Sequence, residues 1–368
     1  MTFSHELPDI DGVVSASELE ETVAAIAAVQ LPDGNIPWTP GGHTDPWNMV
    51  EAAMALDVGG RHDDARAAYD WLANKQRADG GWHAYYIGDD IEDFTLDTNV
   101  TSYVATGAWH HYLTTGDTPY LRAQWPTVEA AIDFALDFQR ETGEISWRGD
   151  DPDDGALLTG SSSIHHSLKC AIAIAEQLGH ERPDWELSLG ALAIAIAHCP
   201  DTFLDKDRWA MDWYYPILGG VLRGYPADAR IAARWEQFVV EGRGIRCVSD
   251  RPWITAAETC ELVMALDTIG SHDPARRLFA SVQFLRADGG GYWTGANFED
   301  EAFHLEGELY TADQPTWNSA AVVLAANALA GTGQTAGLFR GERLPEGLSA
   351  AELLAAGVEI EHERTRRD

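Results

Sequence analysis

The stretch Gln76–Trp82, QRADGGW, recurs along the chain, and its recurrence decides the fold. It returns as QLPDGNIPW (Gln30–Trp38), QRETGEISW (Gln139–Trp147) and QFLRADGGGYW (Gln283–Trp293). Two weaker copies end at Trp209 and Trp253, so six loops close on a tryptophan, at separations of roughly 40 to 65 residues. A repeat of that length marks one supersecondary unit stacked many times, here a helical hairpin.

The helices around these loops fall into two alternating sets. Those leading into the loops carry charged faces: Glu18–Gln30, His62–Gln76, Tyr120–Gln139, Trp185–Cys199, Ala227–Glu241 and Pro274–Arg286. Those after the loops are nearly free of charge beyond their first turn: Pro46–Val58, Asn99–Thr115, Ser162–Leu178, Trp213–Leu222, Ala256–Ile269 and Thr316–Leu329. A helix apolar all round is buried, whereas a striped one lies at the surface. Six of each describe an inner ring inside an outer ring, an all-α (α/α)6 toroid. No period-2 strand pattern of any length competes with it. The expected organisation is an N-terminal extension (1–17), the toroid (18–331), and a tail with a short helix (332–368).

Composition narrows the function. The chain of 368 residues is 45% hydrophobic, which excludes general disorder. No apolar run reaches the roughly 18–20 residues of a membrane span. The start, MTFSHELPDIDGVV, has neither a basic leader nor an apolar signal core, so the expectation is a soluble, cytoplasmic protein. The four cysteines, Cys170, Cys199, Cys247 and Cys260, have no close pair spacing that would signal a disulfide framework or a zinc ribbon. A net charge of −34 repels nucleic acid and anionic membranes. Oligomeric state is not legible in this composition.

In such a ring the inner helices point the same way, and their amino-terminal turns meet around one end of a central cavity. The first inner-helix stretch, HTDPWNMVEAAMAL, brings His43, Asp45, Trp47 and, one turn further, Glu51. The other starts bring Asp97 and Asn99, Ser161 and His165, Asp212 with Trp213 and Tyr214, Trp253 with Glu258 and Cys260, and Asp313 with Gln314 and Trp317. Taken singly, Asp, Asn and Ser at a helix start are ordinary caps, and acids there answer the helix dipole. Taken together, six starts that each add a polar or aromatic group describe a concave small-molecule site.

Two resemblances follow from these phrases. QRADGGW resembles the QW repeat of squalene-type terpene cyclases and the repeats of protein prenyltransferase β subunits. That resemblance implies an isoprenoid substrate and Mg or Zn. DPDD (Asp151–Asp154) matches the letters of the cyclase acid motif, and Glu258 with Cys260 resembles part of a zinc site. The second resemblance is to glucoamylase-like six-hairpin glycosidases and follows the order of several segments. WTPGGHTDPWNMVEAAMALDVGGRHDDARAAYDWL is similar to their opening, with Asp45 at the sugar-binding Asp. WRGDDPDDGALLTGSS corresponds to the acid-bearing loop, which implies Asp153 or Asp154 as proton donor. ADQPTWNSAAVVLAANAL resembles the final inner helix, which implies Asp313 as general base.

Glycoside hydrolysis needs one protonated carboxyl at the leaving oxygen and one carboxylate to activate water or attack carbon. Aromatic faces with carboxylates suit a sugar better than a diphosphate. The leading expectation is a glycoside hydrolase without a cofactor, acting on a small-molecule or oligosaccharide substrate. Asp313, Asp153 and Asp154 would be its catalytic residues. His43, Asp45, Trp47, Asp97, Asn99, His165, Asp212, Trp213, Tyr214, Trp253, Glu258 and Trp317 would bind substrate. The rivals are a terpenoid or prenyl-group enzyme and a non-catalytic ligand-binding toroid.

Overall fold

A computed structural model describes residues 7–297, 313–348 and 350–355. Its helices run in the order α1 (Ala16–Ala27), α2 (Pro46–Val58), α3 (His62–Lys75), α4 (Thr98–Ser102), α5 (Val104–Thr115), α6 (Thr118–Leu136) and α7 (Leu158–Leu178). They continue with α8 (Pro183–His198), α9 (Ala210–Leu218), α10 (Tyr225–Phe238), α11 (Ala256–Thr268), α12 (His272–Ser281), α13 (Thr316–Ala330) and α14 (Ala350–Ala355).

The inner ring is α2, α4–α5, α7, α9, α11 and α13. Each packs on the next, and α13 returns to α2, so the ring closes. The outer helices α3, α6, α8, α10 and α12 cover α2, α5, α7, α9 and α11 in turn, and α1 covers α13. The toroid is therefore sealed by its first outer helix against its last inner one. Burial follows the two sequence classes. All of α2 is buried except Trp47 and Asn48, whereas α12 buries only Ala275, Leu278 and Phe279.

The expected helices are present, with informative shifts. The stretch from Asn99 to Thr115 breaks at Tyr103 into α4 and α5, and the buried Tyr103 hydroxyl donates to Glu51. The ninth helix ends at Leu218, not Leu222, just past Pro216. Short strands were not legible: β1 (Tyr85–Ile87) and β2 (Asp90–Asp93) form a hairpin. β3 (Val239–Val240), β4 (Gly244–Arg246), β5 (Trp253–Thr255) and β6 (Gly295–Asn297) form an antiparallel sheet in that order. Strands of two to four residues are too short for alternation to show.

The recurrent loop phrase has a mechanical role. Gln76 Nε2 donates to Gly80 O at 2.9 Å, closing its own loop, and to Thr127 O at 2.9 Å on the next outer helix. Gln30 repeats this with Gly34 O and Asp64 O, and Gln139 with Gly143 O and Ser188 O. Gly80 has φ +94°, and a Cβ there would lie 2.2 Å from Ala130 O, so only glycine lets the loop reach that helix. The tryptophans diverge. Trp82 is buried and donates to Leu72 O at 2.9 Å, whereas Trp38 and Trp147 turn into the central cavity.

The tail closes the far end of the ring. Leu338 is buried, Phe339 stacks on His166 at 4.9 Å, and Arg340 pairs with Asp267 at 2.6 Å. No helix among the described residues is long and apolar enough to cross a membrane.

Candidate active site

At the amino-terminal end of the inner ring lies a cavity of about 400 Å³. Its walls are aromatic and carboxylic: Trp38, Trp47, Tyr85, Trp147 and Trp317, with Asp45, Asp97 and Glu258 at their level and Asp93 at the rim. Glu51 and Glu261 lie on both this cavity and a smaller one beneath it, which Tyr215 and Phe339 also line.

Each carboxyl is held differently. Asp45 caps α2: its Oδ1 accepts from Asn48 N at 2.9 Å, and its Oδ2 from Trp38 Nε1 at 2.6 Å and Asn48 Nδ2 at 2.7 Å. Burial raises its pKa against those bonds. Asp97 caps α4 through Oδ1 alone, accepting from Asn99 N at 2.8 Å and Val100 N at 2.9 Å. Among the described residues its Oδ2 receives no hydrogen bond, and burial, helped by the charge of Asp45, pushes the carboxyl up to about 6. Glu258 stands in the first turn of α11, with a buried Oε2 that has no partner.

The floor is a tyrosine–carboxyl network. Tyr103 donates to Glu51, and Tyr214 and Tyr215 donate to the two oxygens of Glu261. Burial pushes Glu51 up to about 7 and Glu261 to about 8, the latter with repulsion from Glu258 and Glu51. At neutral pH Glu261 is thus mostly protonated, and Glu51 is poised between its two forms.

Asp45, Trp47, Asp97, Glu258 and Trp317 meet in this cavity, as expected. His43 sits at its edge, packed between Trp38 and Tyr85 at 4.4 and 4.8 Å and paired with Glu92 at 3.0 Å. Asn99 lines a small side pocket next to Asp97. His165 is buried away from the cavity, donates from Nδ1 to Gly219 O at 2.8 Å, and is pushed down to about 4 by burial. Asp212 accepts from Thr159 at 2.6 Å, Trp213 donates to Arg230 O at 2.8 Å, and Tyr214 belongs to the floor. Trp253 is buried on β5. These last four support the wall and do not line it.

The expected catalytic acids are not brought into the cavity. Asp313 accepts from Thr294 Oγ1 at 2.5 Å and lines a separate cleft against α1, with Val29 and Pro40. The loop before it, 298–312, lies outside the described residues. Asp153 and Asp154 stand exposed on a single turn, Asp154 3.6 Å from Arg148. That turn precedes α7, and neither carboxyl is among the groups lining the cavity. Sequence reasoning missed Trp38, Trp147, Tyr85 and Glu261. The signal for Glu261 was present: ETCELVMAL places a second acid one turn after Glu258 in a helix otherwise apolar.

Among the described residues, no group of three or more His, Cys, Asp and Glu could hold a metal. Burial pushes the Cys260 thiol up, opposite to what a zinc thiolate requires.

Comparison with known proteins decides between the rival readings. The chain is 49% identical over 344 residues to the MMP endo-(1,4)-3-O-methyl-α-D-mannosidase of Mycolicibacterium hassiacum, covering 93% of this chain and 94% of that protein. The chain belongs to this endo-mannosidase family. It is a carbohydrate-active hydrolase of the glycosidase type, and the isoprenoid reading is set aside. No family model matches the sequence.

Solved structures agree on the fold of this chain. A wild-type glycosidase superposes with a TM-score of 0.67 at 14% identity, over 86% of this chain and 96% of that one. The GH63 mannosylglycerate hydrolase of Thermus thermophilus gives 0.66 at 11% identity, over 82% and 98%. A rhamnosidase from Klebsiella oxytoca gives 0.60 at 16%, over 87% and 65%. At such identities the likeness speaks for the toroid alone.

Proposed function

We propose that the chain cleaves internal 1,4 linkages of α-mannosides bearing 3-O-methyl groups, with Asp97 as general acid and Glu258 as the carboxylate that activates water or attacks the anomeric carbon. The observation that carries this reading is the pairing of two uncommitted carboxyl oxygens across one cavity. α4 and α11 stand three places apart in the six-membered ring, so Asp97 and Glu258 face each other over the space a sugar would fill.

Their environments separate the roles. Among the described residues Asp97 Oδ2 has no bond to give up, and a carboxyl raised to about 6 holds a proton for the leaving oxygen in the acidic range up to about pH 6. Glu258, in the first turn of its helix, keeps a buried Oε2 that no described residue bonds. Asp45, with both oxygens already accepting from N–H donors, suits a binding and orienting role. Trp38, Trp147 and Trp317 supply faces for sugar rings and their apolar substituents. The substrate class rests on the likeness to the Mycolicibacterium hassiacum enzyme.

The test is a product analysis. The purified protein is incubated with 1,4-linked α-mannan oligosaccharides, 3-O-methylated and unmethylated, and early products are sized by mass spectrometry. Internal fragments from the methylated series support the reading. No cleavage, or release of single sugars from one end only, overturns it.

A further inference from the structure

Beside the central cavity, and sharing Asp97 and Trp147 with it, lies a side pocket of about 80 Å³. Its walls are Leu157, Ile145, Ile164 and Gly160 on the apolar side, with Asn99 and Ser161 on the polar side. Ser161 is 1% exposed, yet its Oγ has no hydrogen-bond partner, and the buried Oδ1 of Asn99 has none either. A buried polar atom without a partner is destabilising, so two on residues that line one small space require an explanation.

The chemistry of the pocket selects its occupant. A benzene ring occupies a cavity of about 150 Å³, so a space of about 80 Å³ admits a short arm and not a whole ring. The apolar walls ask for carbon, and the two orphan atoms ask for a hydroxyl, which donates to Asn99 Oδ1 and accepts from Ser161 Oγ. An ether oxygen cannot donate and would leave Asn99 unsatisfied. On a hexopyranose, only the exocyclic hydroxymethyl group combines a CH₂ stem with a terminal O–H and projects beyond the ring.

We infer that the side pocket formed by Asn99, Gly160 and Ser161 receives the hydroxymethyl arm of a hexose whose ring lies against Trp147 beside Asp97. This rests on the reading of the central cavity as a sugar site and deepens it. The pocket fixes the rotation of the ring about its stacking face, so the glycosidic oxygen is delivered to the Asp97 side. A sugar lacking the 6-hydroxyl would leave both protein atoms unpaired, and it is such unpaired groups that give a site strong discrimination.

The test compares methyl α-mannoside with its 6-deoxy counterpart by calorimetry, and the matched 1,4-linked oligosaccharides by kcat/KM. Wild type is expected to favour the hydroxymethyl sugar by at least about 10-fold. Ser161→Ala should collapse that preference to within about threefold while sparing the 6-deoxy sugar. Gly160→Ala offers an independent check. Its Cβ would lie 3.6 Å from the Asn99 Cβ, an ordinary contact, so the fold tolerates it while a methyl group enters the pocket. It should weaken the hydroxymethyl sugar more than the 6-deoxy one. Equal affinity of wild type for the two sugars, binding of neither, or equal loss of both in the variants overturns the assignment. Absence of turnover with the calorimetric preference intact refutes the hydrolase reading and leaves the pocket standing.

Discussion

Glu261→Gln removes an ionisable group from the cavity floor without removing its hydrogen bonds. The amide keeps an oxygen to accept from one of Tyr214 and Tyr215 and offers an N–H to the other. Glu261 is raised from 4.5 to about 8 in the folded chain, chiefly by burial. The folded state therefore holds a proton that the unfolded state has released throughout this interval. Its stabilising effect is complete below pH 4.5 and is lost as pH climbs to about 8, at about 1.4 kcal/mol per pH unit. Across that whole interval the loss amounts to about 5 kcal/mol at full ionisation. Glu51, raised from 4.5 to about 7, adds a parallel loss of about 3 kcal/mol. Thermal melts of wild type and Glu261→Gln from pH 5 to 9, at constant high salt, isolate the Glu261 share. The two melting temperatures should nearly coincide at pH 5. The variant should then gain steadily, with the gap levelling off above pH 8. A gap that stays constant with pH, or a variant less stable at pH 8 than at pH 5 relative to wild type, would refute the buried-acid floor.

Other consequences concern the loops and the discarded base. Gln76→Ala deletes two side-chain hydrogen bonds to main-chain carbonyls and should cost about 1–3 kcal/mol in urea unfolding. Gly80→Ala should cost more, since its Cβ meets Ala130 O at 2.2 Å in a left-handed conformation. A loss no greater than that of an exposed-surface alanine would show that the phrase is not a staple. Asp313→Asn should leave kcat/KM within about threefold of wild type, because Asp313 faces the α1 cleft. A thousand-fold loss, about 4 kcal/mol, would return Asp313 to the chemistry.

Much of the ring was legible because its signals are long-range in sequence and simple in kind. Helices nearly free of charge beyond their first turn can only be interior, and for Pro46–Val58 the bounds in the sequence and the structure coincide. The Gln–Gly phrase announced the hairpins because in three copies, at Gln30, Gln76 and Gln139, one side chain satisfies two carbonyls. The site was half legible. Helix starts gave Asp45, Trp47, Asp97, Glu258 and Trp317, since capping position and cavity position are the same place in a toroid. Trp38, Tyr85 and Trp147 were missed because they reach the cavity from loops and a two-stranded hairpin, whose paths leave no periodic trace. The resemblance pointed by position along the chain to Asp153, Asp154 and Asp313, and none of the three lines the central cavity. Asp154 stands on an exposed turn 3.6 Å from Arg148, and Asp313 accepts from Thr294.

The most direct test of the account sets Asp97→Asn and Glu258→Gln against two leaving groups. Asparagine remains a good helix cap, so α4 keeps its start. On a 1,4-linked mannoside, whose leaving oxygen needs a proton, each variant should lose about 100- to 10,000-fold in kcat. On an aryl mannoside with an acidic phenol, Asp97→Asn should recover most of its activity, and its rate should no longer fall as pH rises through about 6. Glu258→Gln should stay inactive on both. Wild-type turnover by either variant on the natural linkage, or equal losses of Asp97→Asn on both substrates, would contradict the assignment of acid and base to this cavity.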